Sequence, residues 1–196
     1  MFKKMMTIFF CAMSLLAFAT DPKSNNVSVD LKKSTLEWVG YKVTGKHNGV
    51  VNLKSGSIQF ENNKLAGGSF EIDMNSITCL DMTGEYANKL VNHLKSDDFF
   101  SVGSYPTVSF KSTKVIHQGQ DLYKVEGNLT IKGVTKPIRF NTKLKDMSTH
   151  KELNAQIKLD RADFNVKYGS GSFFDNLGDK TIYDEFDINI NLVTAN

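Results

Sequence analysis

From Leu36 onward the chain alternates apolar and polar residues with period two, the pattern of strands that bury one face and expose the other. It is clearest at the end, where Phe186, Ile188, Ile190 and Leu192 alternate with Asp187, Asn189 and Asn191. Leu153, Ala155, Ile157 and Leu159 repeat it. So do Ile138, Phe140, Thr142 and Leu144, and then Tyr123, Val125, Leu129 and Ile131. In the first half the inward sets are Leu36, Trp38 and Gly40; Ile58 and Phe60; Phe70, Ile72 and Met74; and Val108 and Phe110. Asn62-Asn63 supplies turn residues, and Gly67-Gly68 marks a bulge or a close backbone approach. One stretch departs from this: Leu90, Val91 and Leu94 within Tyr86–Lys95 have the spacing of a short helix with one apolar stripe.

About eight one-sided strands and one short helix exclude a parallel sheet, whose strands are apolar on both faces. An open antiparallel sheet would leave its apolar face uncovered, so the pattern predicts an all-β sandwich or closed barrel. With eight strands a barrel interior is filled by side chains or holds one apolar ligand. No Pro-rich or Gly/Ser-rich linker divides the chain, so one domain is expected over 27–196, after a flexible lead-in over 20–26.

The start of the chain changes the compartment. Met1–Ala19 carries Lys3 and Lys4, an apolar run from Met5 to Phe18, and Ala17-Phe18-Ala19: the order of a secretory signal peptide cleaved before Thr20. The run is short for a bilayer span, so export to the periplasm or outside the cell is expected, without stable membrane insertion. Of 24 basic residues two lie in this segment, and the remaining chain, with 21 acidic residues, is near neutral. That charge balance offers no footprint for nucleic acid. Cys79 is the one cysteine after the leader, so no internal disulfide can form and the core alone must hold the domain.

Catalytic patterns are missing. His47, His93, His117 and His150 are scattered, with no HExxH, CxxC, G-x-S-x-G or phosphate loop, so neither a metal nor a catalytic set is expected. What does stand out is cations on apolar faces. Lys42 continues the Trp38 face, Arg161 continues the Leu159 face with Asp160 and Asp163 as available partners, and His47 lies between Gly45 and Gly49. A buried cation needs a partner. Lys42, His47 and Arg161 are therefore candidates for the head group of an amphiphile whose tail lies inside.

Five segments in order then carry a resemblance: Trp38–Gly49, Gly67–Ile77, His93–Phe100, Tyr105–Phe110 and Gly127–Pro137. Over about Val27 to Val193 the chain resembles the YceI-like family of exported polyisoprenoid- or lipid-binding domains. The resemblance implies an eight-stranded antiparallel lipocalin-like barrel with a short α-helix, a long apolar cavity, no enzymatic activity, no cofactor beyond a bound lipid, and often a homodimer. Two positions depart from the family pattern. Ser101 stands where Asp is common, and Asn165 stands where the later Asp-Phe-Gly has its glycine.

Read together, the faces and the resemblance put Trp38, Phe60, Phe70, Ile72, Met74, Leu90, Leu94, Phe99 and Phe100 on the cavity wall. They add Val108, Phe110, Leu129, Ile131, Phe140, Ile157, Phe186 and Ile188 from the second half. The expected function is to hold a polyisoprenoid, isoprenoid quinone or fatty-acyl amphiphile for storage or transport. Two alternatives stay open: an enzyme acting on such a lipid in the same cavity, with His47 as its base, and a structural sandwich with a solid core.

Overall fold

The computed structural model describes residues 24–195; the expected leader, Met1–Ala19, lies outside them. Nine strands are formed: β1 (Ser24–Ser28), β2 (Thr35–Lys42), β3 (Gly45–Glu61), β4 (Lys64–Asp73), β5 (Thr107–His117), β6 (Leu122–Ile131), β7 (Val134–Asp146), β8 (Lys151–Asp160) and β9 (Ile182–Val193). One helix, α1 (Gly84–Lys95), interrupts them between β4 and β5. All pairings are antiparallel, and β2 through β9 close on themselves because β2 pairs with both β3 and β9 while β3 pairs with β4. The result is an eight-stranded barrel with one short helix. Closure removes the edges that an open sheet would expose.

Local chemistry sets the corners. Asn62 and Asn63 both adopt positive φ (48° and 68°), as a two-residue hairpin between right-twisted strands requires, and asparagine tolerates that region. Lys132 and Gly133 (50° and 75°) make the equivalent turn between β6 and β7. The two departures from the family pattern fall on such positions as well: Ser101 has φ 49° and Asn165 has φ 58°. Ser101 is further held by its hydroxyl, which donates to the Asp97 carbonyl at 3.1 Å.

The seventeen-residue β3 serves two neighbourhoods. Its first half pairs with β2, and its second half lies between β4 and β1. Ser24, Asn25 and Asn26, expected in a flexible lead-in, are instead in β1, paired with Glu61, Phe60 and Gln59. The polar composition of β1 hid it, since an outer strand that buries little carries almost no alternation. Met74 likewise leaves its strand and opens a 3-10 turn over Met74–Ser76.

After that turn, residues 77–83 run along β3 as a strap: Thr78 N–H donates to the Val50 carbonyl (2.9 Å) and Leu80 N–H to that of Asn48 (2.8 Å). The strap leads into α1, which sits over one end of the barrel. Lys95 Nζ ties the helix end to the Asn75 carbonyl (2.7 Å), and Lys132 Nζ holds the following loop through the carbonyls of Asp97 (3.1 Å) and Phe99 (2.9 Å).

Candidate functional site: an apolar cavity inside the barrel

The inward positions of the eight barrel strands do not meet at the centre. They surround a void of about 220 Å³, on a scale where a single water needs about 10–15 Å³. The wall is almost wholly apolar. Several inward residues, among them Phe140, Ile138, Ile188 and Ile190, are only half-buried although they face the lumen. Side chains of a close-packed core would be fully buried. The solid-core alternative is overturned by this space.

Fifteen of the expected wall residues reach it: Trp38, Phe70, Ile72, Met74, Leu94, Phe99, Phe100, Val108, Phe110, Leu129, Ile131, Phe140, Ile157, Phe186 and Ile188. The Trp38 indole is fixed there by Nε1 donating to the Thr78 carbonyl of the strap at 3.1 Å. Leu94 of α1 with Phe99 and Phe100 of the next loop closes the helix end, the two rings meeting edge to face at 4.9 Å.

Two expected wall residues do not reach the void. Phe60 is buried (3% exposed) but sits beside β1 and Leu65 at the far end of β3, with the Lys151 ammonium 5.6 Å above its ring. Leu90 packs on the core from outside, because on a short helix only Leu94 of the stripe points through the barrel opening.

Of the three cations, Arg161 alone lines the cavity, and among the described residues it is the single charged side chain that does so. It is 3% exposed. Nε donates to the Tyr183 carbonyl (3.2 Å), Nη1 to Val166 (2.8 Å) and Nη2 to Ile182 (2.9 Å). The guanidinium also lies 5.4 Å from the centre of the Phe99 ring. Its counter-charge is Asp184, with Oδ1 3.1 Å from Nη2 but without hydrogen-bond alignment; Asp160 and Asp163, the partners offered by the sequence, do not form the pair. Burial lowers the Arg161 pKa, and Asp184 and then Asp160 oppose that shift. Asp184 Oδ2 accepts from the hydroxyls of Ser170 (2.8 Å) and Ser172 (2.7 Å).

Lys42 is half-buried at the end of β2, between Gly45 and Ile182, off the wall. The register of β2 against β9 shifts between Gly40 and Lys42, while β2 stays in register with β3, and Tyr41 borders this end of the cavity with its ring on the outer face, under the Lys158 ammonium at 5.9 Å. Strict alternation points Tyr41 outward, and its contacts agree. The Tyr41 hydroxyl donates to Asp187 Oδ2 at 2.6 Å, a bond to a carboxylate that raises its pKa.

His47 is engaged outside the cavity, its Nδ1 2.8 Å from Asp81 Oδ2. Asp81 Oδ1 accepts from the Asn48 N–H (2.9 Å) and the Cys79 thiol (3.3 Å). Burial alone would raise the Asp81 pKa, but the bonds from Asn48, His47 and Cys79 outweigh it and bring it down to about 2. Burial, then Asp81, pushes the Cys79 thiol up, away from reactivity.

Other polar atoms on the wall are satisfied within the fold: Ser112 Oγ accepts from the Gly68 N–H (2.8 Å), and Thr142 Oγ1 donates to the Asn154 carbonyl (3.1 Å). Tyr183 borders the cavity and is itself 51% exposed. Among the described residues no group of three or more His, Cys, Asp and Glu side chains could hold a metal ion, and no helix is long and apolar enough to cross a membrane.

Comparison with known proteins gives a consistent picture. A UPF0312 protein of Vibrio parahaemolyticus is 30% identical over 165 residues, covering 81% of this chain and 82% of that protein. The crystal structure of BcnA from Burkholderia cenocepacia superposes with a TM-score of 0.71 at 24% identity, covering 85% of this chain and 99% of that one. A domain from Saccharophagus degradans, described as polyisoprenoid binding and implicated in plant cell wall breakdown, superposes with a TM-score of 0.63 at 19% identity, covering 85% and 96%. At these identities the two structures speak for the fold. The YceI-like domain model matches residues 19–194, and the chain belongs to that family.

Proposed function

We propose that this protein is an exported carrier that holds one long-chain amphiphile, a polyisoprenoid, isoprenoid quinone or fatty-acyl compound, without altering it. The observation that carries the reading is the void itself: a closed barrel that leaves its own apolar lining unpacked forgoes dispersion contacts that an apolar guest would restore. Each buried methylene contributes about 0.8 kcal/mol, so a long tail binds well without many polar contacts. The polyisoprenoid-binding description of the Saccharophagus degradans domain supports the same ligand class. Export rests on the Met1–Ala19 pattern.

In this reading the head of the ligand lies toward Arg161 and Ile182, with Lys42, paired to Ile182, just outside the wall. Chemistry on the lipid would need an acid–base group on the wall. His47 is bonded to Asp81 away from it, and Nε, Nη1 and Nη2 of Arg161 each donate to a backbone carbonyl, leaving a guanidinium that stays protonated and is no base.

The test is organic extraction of protein purified from its native host, followed by mass spectrometry. An apolar molecule at about one per chain is expected. Repeated extraction that recovers none, together with no saturable uptake of N-phenylnaphthylamine by the extracted protein, would refute the proposal.

A further inference from the structure

Within the lipid-carrier reading, on which this rests, we propose that Gly56, Gly68 and Gly127 set how long a chain the barrel accepts, by giving the Phe70 and Phe110 rings room against the wall. The three glycines lie inside β3, β4 and β6, and none is at positive φ, so backbone conformation does not demand glycine there. Space does. A Cβ at Gly56 would stand 2.6 Å from Cδ1 of Phe70, and one at Gly68 would stand 3.1 Å from Cε2 and Cζ of the same ring. A Cβ at Gly127 would stand 2.4 Å from Cζ and 2.6 Å from Cε2 of Phe110. Each ring therefore lies down on bare backbone instead of reaching across the lumen.

Their position along the barrel makes this matter. Phe70 pairs with Phe110 across β4 and β5, and the rings run nearly parallel (18°) at 6.4 Å, with Phe140 5.6 Å beyond Phe110. On the helix side of this tier the wall is Ile72, Met74 and Val108; past it the wall continues through Gly67, Ser112, Val115 and Val125. The void is continuous only because the rings are flat. A Cβ at Gly56 or Gly127 displaces the ring outright, whereas at Gly68 a Cβ asks it to give by a few tenths of an ångström and the two further methyls of valine ask for more, so the ring is pressed off the backbone toward the lumen. A chain would then stop at the aromatic tier, forfeiting roughly fourfold in affinity for each methylene that no longer fits.

Aromatic rings also cover strand glycines for stability alone, so the readout has to be chain length. The full-length protein is titrated with N-phenylnaphthylamine, which octanol, dodecanol, hexadecanol and eicosanol then displace. In the unaltered protein affinity should rise with each longer alcohol until the lumen is full. In Gly68→Val and Gly127→Ala the rise should end at a shorter alcohol, with octanol affinity held within about twofold and eicosanol weakened at least about tenfold. Because a Cβ at Gly127 also meets the Lys111 carbonyl at 2.6 Å, against 3.1 Å to the Ser57 carbonyl at Gly68, Gly68→Val is the variant to read if Gly127→Ala does not fold. Adding Phe70→Ala to Gly68→Val should restore the longer limit.

A folded Gly68→Val protein with the original limit, or one that loses octanol and eicosanol equally, would overturn the inference while leaving the carrier reading intact. Failure of the unaltered protein to bind the naphthylamine or any alcohol would overturn both.

Discussion

Replacing Arg161 by Met tests whether the charged group in the apolar wall is a structural clamp. The guanidinium joins the loop after β8, through Val166, to the start of β9, through Ile182 and Tyr183, and neutralises Asp184. Methionine keeps an unbranched apolar stem, stops short of the guanidinium position and donates nothing. Three carbonyls would lose donors, each worth about 1 kcal/mol net, and Asp184 would keep only its two serine hydroxyls. Removing one member of a buried ion pair costs about 3–5 kcal/mol, and the two routes agree. The expected loss is therefore about 3–5 kcal/mol, a large part of the roughly 5–15 kcal/mol available to a domain. Urea unfolding followed by the single tryptophan, Trp38, and by far-ultraviolet circular dichroism would read it as a shifted midpoint at constant slope. Arg161→Lys should recover only part, because one ammonium cannot reach three carbonyls. Arg161→Met with Asp184→Asn should be less than additive, since the second change removes the stranded charge. A loss below about 1 kcal/mol in Arg161→Met would refute the clamp, meaning that water takes over the carbonyls at no cost.

Three further expectations separate stability from binding. Phe60→Ala should lower stability by about 3–5 kcal/mol, as for other buried aromatics, while N-phenylnaphthylamine affinity stays unchanged, because Phe60 is off the wall; a large affinity loss in folded protein would contradict that placement. Ionised Asp81 favours the folded state, its pKa being lowered from 3.8 to about 2, so this contribution is complete above pH 3.8 and disappears as the pH falls through about 2. Asp81→Asn should therefore flatten the acid limb of urea midpoint against pH in that window, and an unchanged limb would remove Asp81 from the account. Lys42→Ala should weaken hexadecanoate several-fold more than hexadecanol, consistent with an exposed ion pair worth about 1 kcal/mol or less; equal effects on the two would argue against contact with the head group.

Much of this protein is written locally. Alternation along β6 to β9 gave the inward residues correctly, because a period of two follows from strand geometry whatever the strand pairs with. Asn62-Asn63 and the stripe of α1 could be read for the same reason. Where a strand outruns the cavity, the sequence misleads: Lys42 continues the Trp38 face but stands past the end of the wall beside Ile182, and nothing near Phe60 tells that β1 will lie beside it. Long-range partners were also out of reach. Asp184 is far along the chain from Arg161, whereas Asp160 and Asp163 are its neighbours, and only the folding of β9 against β8 brings the distant carboxylate in. The void is the deepest case. A sequence of this pattern determines which face of each strand is greasy, but how far the eight faces stand apart depends on how the barrel closes and on which glycines let the rings lie flat. That separation is a property of the assembled sheet, and only the tertiary structure decides it.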